Sequence, residues 1–194
     1  MGAPQIEYPT RHFTDRKAWA EWLEQHHASE RGVWLRLAKA ASDLSSVTYD
    51  EAVEVALCYG WIDGQAKRHD ADSWLQKFTP RGPRSVWSKR NRDRAERLIA
   101  NGEVRAAGLE AIEAARADGR WERAYDSPRS AAVPEDLQSA LDGSPEAKSF
   151  FETLKSAQRY VILHRVQTAV KPETRARRIA KFVAMLERRE TPGQ

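Results

Sequence analysis

The period of the apolar residues changes once along this chain, at Pro80-Arg81-Gly82-Pro83, and that change limits the folds open to it. Before it, Val33-Trp34-Leu35-Arg36-Leu37-Ala38-Lys39 alternates with Val33, Leu35 and Leu37 on one side, the pattern of a half-buried strand. Two more short strands are expected near Trp61 to Arg68 and Ser73 to Thr79, turning through the polar stretch His69-Asp70-Ala71-Asp72. Helices intervene: Thr14 stands as an N-cap before Trp19, Trp22, Leu23 and His26, and Thr48-Tyr49-Asp50-Glu51 is a capping box that opens a helix stopped by Gly60.

After the change every pattern is helical. Ser85 is placed to cap a helix to about Ala100, and an Ala-rich helix with Leu109 and Ile112 follows to Gly119. Tyr125 to Val133, with Pro128 and no periodicity, is the candidate linker. Beyond it, Pro134, Pro145 and Pro172 suit first helical turns, and Ile179, Phe182, Val183 and Leu186 form one apolar stripe. The expectation is an α+β chain: a small antiparallel sheet with helices over residues 1–127, then an all-helical module over 133–194.

At 194 residues the chain can bury a full core, and its mean hydropathy of -0.72 argues against a membrane span, as does the lack of an apolar run near the roughly 20 residues a bilayer needs. The N-terminus carries neither a basic nor an apolar targeting region, which points to the cytoplasm. Cys58, the only cysteine, cannot form an internal disulfide and falls in an apolar helix pattern, where an inert buried thiol is expected. The net charge of +4 is polarised. Lys77 to Arg97 holds eight Lys/Arg against Asp93 and Glu96, and Lys171 to Arg189 seven against Glu173 and Glu187, so the rest of the chain is acidic. Such polarity suits anionic partners, nucleic acid among them, and equally suits solvated helix faces.

Few constellations carry chemistry. The five histidines show no zinc spacing, so no metal and no cofactor is expected. His26 and His27 suit a helix C-terminus, and His164 sits in an apolar helix as a core histidine. Hydrolase and nucleotide-enzyme signatures are absent, which favours binding over catalysis. The stretch that stands out runs from Phe78 to Asn91. A helix N-terminus offers unpaired N–H groups, and here Arg81 and Arg84 approach it beside Ser85, Trp87, Ser88, Lys89 and Asn91. That corner could hold a phosphate-bearing or other anionic small molecule; alternatively Ser85 merely caps the helix and the arginines neutralise acids. Asp63, Gln65 and Lys67 are expected on one strand face, with Asp63 near Arg81 or Arg84 as an ion pair or as half of a polar pocket. A small-molecule enzyme using Asp63 or His164 is a further reading, as is nucleic-acid binding with the seven tryptophans stacking bases rather than building a core.

The runs Thr48-Tyr49-Asp50-Glu51-Ala52-Val53, Leu57-Cys58-Tyr59-Gly60-Trp61-Ile62-Asp63-Gly64 and Phe78-Thr79-Pro80-Arg81, then Arg84-Ser85, Trp87-Ser88-Lys89 and Asn91, resemble the YdeI/OmpD-associated, or bacteriocin-protection, family. The basic motif with Lys171, Thr174, Arg175 and Arg178 is similar to the end of the helical module that defines that family. The resemblance implies an α+β part in the neighbourhood of YjbR/CyaY-like proteins, a helical C-terminal module, and a role in protection against bacteriocins or antimicrobial peptides. It carries over no catalytic residue.

Overall fold

A computed structural model describes residues 7–128 and 130–192. The chain separates into two compact units, the first reaching Ser85 and including Asp93–Asp118, the second comprising Val86–Arg92 and the chain from Gly119 onward.

The first unit is built on a four-stranded sheet: β1 (Thr10–His12), β2 (Val33–Ala38), β3 (Trp61–Arg68) and β4 (Ser73–Pro80), in the order β1-β2-β4-β3. β2 to β4 form the expected antiparallel set, but β1 lies parallel to β2, so the sheet is mixed and not purely antiparallel. β1 has three exposed residues, too few to show alternation. Its parallel pairing requires a crossover, which α1 (Arg16–His26) supplies.

α1 starts one residue later than the sequence suggests. Asp15, not Thr14, is its cap, accepting the Ala18 N–H at 2.9 Å, while the Thr14 hydroxyl donates to Asp15. α2 (Tyr49–Cys58) opens on the predicted capping box, with the Glu51 carboxylate returning to the Thr48 N–H at 3.0 Å. It ends at Gly60, whose φ of +71° suits the residue that closes a helix. α1 and α2 cover the face bearing Val33, Leu35, Leu37 and Phe78, and Trp19, Leu23, Val53, Leu57 and Trp61 fill the space between. Trp19 stacks on Trp22 at 5.4 Å and meets Trp61 edge-on at 6.4 Å. Trp19 and Trp61 donate their indole N–H groups to the Ala52 and His27 carbonyls, so both are satisfied core residues.

α3 (Lys89–Ala100) contributes Asp93–Ala100 to this unit, and α4 (Ala106–Ala117) packs on α2. In α4 Ile112 is buried as expected, but Leu109 is exposed, because Gly108 is the residue that faces α2.

In the second unit α5 (Glu135–Asp142), α6 (Pro145–Thr153), α7 (Ser156–Gln167) and α8 (Pro172–Glu187) enclose a core of Leu137, Leu141, Phe151, Ile162, Val166, Ile179, Phe182 and Leu186. Pro145 and Pro172 occupy first-turn positions, and Pro134 is the cap of α5. No helix among the described residues is long and apolar enough to cross a membrane.

Candidate functional site

Arg81 lies where three local signals converge. Gly60 ends α2, β3 leaves from Trp61, and the Arg81 N–H donates to the Gly60 carbonyl at 2.9 Å, fixing the end of β4 beside that junction. α4 approaches closely, since a Cβ on Gly60 would sit 2.6 Å from the Ala107 carbonyl oxygen. Between these elements is a cavity of about 560 Å³ lined by Arg81, His27, Tyr59, Trp61 and Glu110 among others. Its polar groups are held in place. The Tyr59 hydroxyl donates to Glu24 at 2.8 Å, and burial together with that carboxylate raises its pKa. His27 turns Nδ1 to the Leu23 carbonyl at 2.8 Å, and His26 does the same to Trp22, as expected of a histidine pair closing a helix. The side chains lining this cavity include one guanidinium, one imidazole, one phenol and the Glu110 carboxylate.

The start of α3 differs from the sequence expectation. Ser85 does not cap the helix: its N–H and hydroxyl close a turn with the Gly82 carbonyl and N–H, each at 3.0 Å. Ser88 is the cap, accepting the Asn91 N–H at 3.1 Å. The Lys89 N–H donates to the Tyr125 carbonyl at 2.9 Å, and the Lys89 ammonium pairs with Asp126 at 2.7 Å. Two of the helix-start amides that the anion reading relied on are therefore engaged by the protein itself. Asp126 is held in turn by Gln167 at 3.0 Å, so Tyr125 and Asp126, expected in a linker, are pinned within the second unit. Arg129 of that stretch lies outside the described residues. Trp87 is buried edge-on against Trp121 at 4.8 Å, a core residue. Of the predicted corner, Arg81, Arg84 and Ser85 belong to the first unit; Trp87, Ser88, Lys89 and Asn91 belong to the second.

A β-bulge overturns the expectation that Asp63, Gln65 and Lys67 share a face. Asp63 is opposite Phe78 and Ala66 opposite Gln76, so β3 carries one more residue than β4 between those pairs. Asp63 thus faces the helices, where it accepts the Tyr49 hydroxyl at 2.7 Å. Lys67 faces the other way, with its ammonium 4.0 Å from the Trp34 ring centroid, and Gln65 accepts from Lys77 on that same side.

The basic C-terminal motif ties helices together. The Arg175 guanidinium binds both oxygens of Asp136 at 2.6 and 2.8 Å and donates to the Val166 carbonyl at 2.8 Å. Arg178 donates to the Arg165 carbonyl, so both arginines meet the carbonyl end of α7, where cations are favoured. Lys171 is the cap position of α8, and Thr174 lies half-buried in its first turn. His164 packs against Tyr125 at 4.6 Å and Tyr160 at 5.7 Å, and burial lowers its pKa. Among the described residues no group of three or more His, Cys, Asp or Glu could hold a metal ion.

Residues 11–111 match the model of a domain of unknown function, DUF8412, and residues 130–189 match the model described as Bacteriocin-protection, YdeI or OmpD-Associated, OmdA. The chain belongs to the DUF8412 family and carries an OmdA domain. No curated protein and no solved structure matches it. The DUF8412 segment contains β2 to β4, β1 from Arg11 on and the Arg81 cavity, whereas the OmdA segment contains α5 to α8 and all four residues of the basic motif. The OmdA resemblance is legible in the sequence; the motifs from Thr48 to Asn91 resemble the same family, but the segment that holds them matches the separate DUF8412 model instead.

Proposed function

We propose that this DUF8412–OmdA chain is a non-enzymatic, stress-related binding protein of the bacteriocin-protection, YdeI/OmpD-associated type, acting in the cytoplasm, and that it takes an anionic small molecule at Arg81. The supporting observation is the cavity of about 560 Å³ in which Arg81 meets anchored Tyr59 and His27 side chains. The Lys89 and Asn91 amides are engaged internally, and Arg81 lines this cavity with a guanidinium whose fork geometry suits carboxylate and phosphate oxygens. Arg84, exposed three residues further along the same loop, supplies a second cation. On the same reading, the α+β part, taken as residues 1–127, is kin to YjbR/CyaY-like proteins, and 133–194 forms the helical module.

Inorganic phosphate and sulfate are the probes. A ligand present at about a hundred times its Kd stabilises the folded chain by roughly 2.7 kcal/mol, a readily measured rise in melting temperature. Arg81→Ala combined with Arg84→Ala should remove that rise and leave the ligand-free protein folded. Undiminished protection in the double variant refutes the assignment.

A further inference from the structure

We propose that the face of the sheet opposite α1 and α2 binds a nucleoside phosphate, its base stacked on Trp34 and its phosphate held by Lys67 and Lys77. Trp34, Lys67 and Lys77 share that face through the registers of β2, β3 and β4. They line a cleft of about 450 Å³ together with Tyr8, Gln65 and Glu7, a volume suited to one nucleotide. The Lys67 ammonium lies 4.0 Å from the Trp34 ring centroid, and the Lys77 ammonium 5.7 Å from the Trp34 and Tyr8 centroids. Two like charges are thus gathered around one indole, and among the described residues neither forms an ion pair with a carboxylate. A phosphate relieves their repulsion and frees the ring, which offers a base its π-face. The bulge at Gly64 and Gln65 brings the Gln65 amide to the same cleft, where Lys77 donates to it at 3.3 Å; that amide is suited to a base edge. Glu7 offers an acceptor for ribose hydroxyls.

The experiment is calorimetric titration of the full chain with AMP at low salt, beside ribose 5-phosphate, inorganic phosphate and an eight-residue oligodeoxyadenylate. AMP is expected to saturate at one site. Trp34→Ala should weaken it about fivefold or more, the size expected from losing a stacked base. Lys67→Ala with Lys77→Ala should weaken it about tenfold or more, since two charge-assisted contacts go. If Trp34→Ala disturbs folding by circular dichroism, Trp34→Phe keeps a stacking ring and should hold AMP within about threefold of wild type. Arg81→Ala should leave AMP binding unchanged, which separates this site from the Arg81 cavity. Failure of AMP to bind overturns the proposal, as does equal binding of ribose 5-phosphate or inorganic phosphate by the Arg81→Ala protein, in which the Arg81 cavity no longer contributes a phosphate site. Oligonucleotide binding more than about tenfold tighter than AMP also overturns it, because that gain marks a strand-binding surface.

Discussion

Replacing Gly108 with alanine tests how closely α4 is seated on α2. In an ordinary helix interior, Gly→Ala stabilises by about 1 kcal/mol through backbone entropy and helix propensity. At Gly108 the added Cβ would stand 2.4 Å from the Cys58 carbonyl oxygen, 2.9 Å from its carbon and 2.7 Å from Val104 Cγ1. That carbonyl cannot simply move aside, because it accepts the Arg105 N–H at 3.0 Å, just before α4 begins. Overpacking of this kind costs about 1–3 kcal/mol, and weakening the hydrogen bond adds about 1 kcal/mol. Set against the propensity gain, the net is a destabilisation of about 1–3 kcal/mol, with sign opposite to the usual rule. For a chain of this size, a loss of about 2 kcal/mol lowers the melting temperature by roughly 4–8 °C. Urea unfolding followed by far-UV circular dichroism gives the free energy directly. Gly82→Ala is the control, since a Cβ there meets nothing within 4 Å, and its stability should be unchanged or raised by less than about 1 kcal/mol. A Gly108→Ala protein as stable as wild type, or more so, would refute the close seating of α4 on α2.

Two other perturbations probe the first unit. Glu54 receives Arg16 at 2.9 Å and also pairs with Arg97; burial pulls its pKa upward, but the two arginines hold it below its ordinary value. A carboxylate whose folded pKa is depressed contributes stability above its unfolded pKa, and that contribution is lost as pH falls through the lower folded value. Glu54→Gln should therefore cost about 1–2 kcal/mol at neutral pH and progressively less under acid conditions, read from urea unfolding across pH; a pH-independent difference would contradict the pairing. Cys58 is buried, and burial first of all pushes its pKa up to about 11. Its labelling by a thiol reagent should be negligible in the native protein and rise only through the unfolding transition, so rapid stoichiometric labelling of the native chain would count against that burial.

Much of the architecture was legible in the sequence because its signals are local. The capping box at Thr48 and Glu51, the alternation of Val33, Leu35 and Leu37, the stop at Gly60 and the stripe of Ile179, Phe182 and Leu186 each follow from the physics of one or two turns of chain. Inert Cys58, helix-closing His26 and His27, and core Trp19 were readable for the same reason. The site was less so. Arg81 could be singled out by its proline-bracketed loop, but the cavity beside it depends on α4 reaching Gly60, a contact no local pattern encodes.

The sequence by itself determined the helices, the three longer strands β2 to β4 and most of the residues they bury, since helical and strand periods and caps are properties of neighbouring residues. Tertiary structure alone decided the parallel placement of β1, the bulge that turns Asp63 away from Gln65 and Lys67, and the engagement of the Lys89 amide by Tyr125. It also decided that Arg175 and Arg178, chemically free to meet an anion, answer carbonyls at the end of α7 instead. These outcomes share one cause: hydrogen-bonding groups take partners brought close by packing, and packing joins residues that the linear order holds far apart.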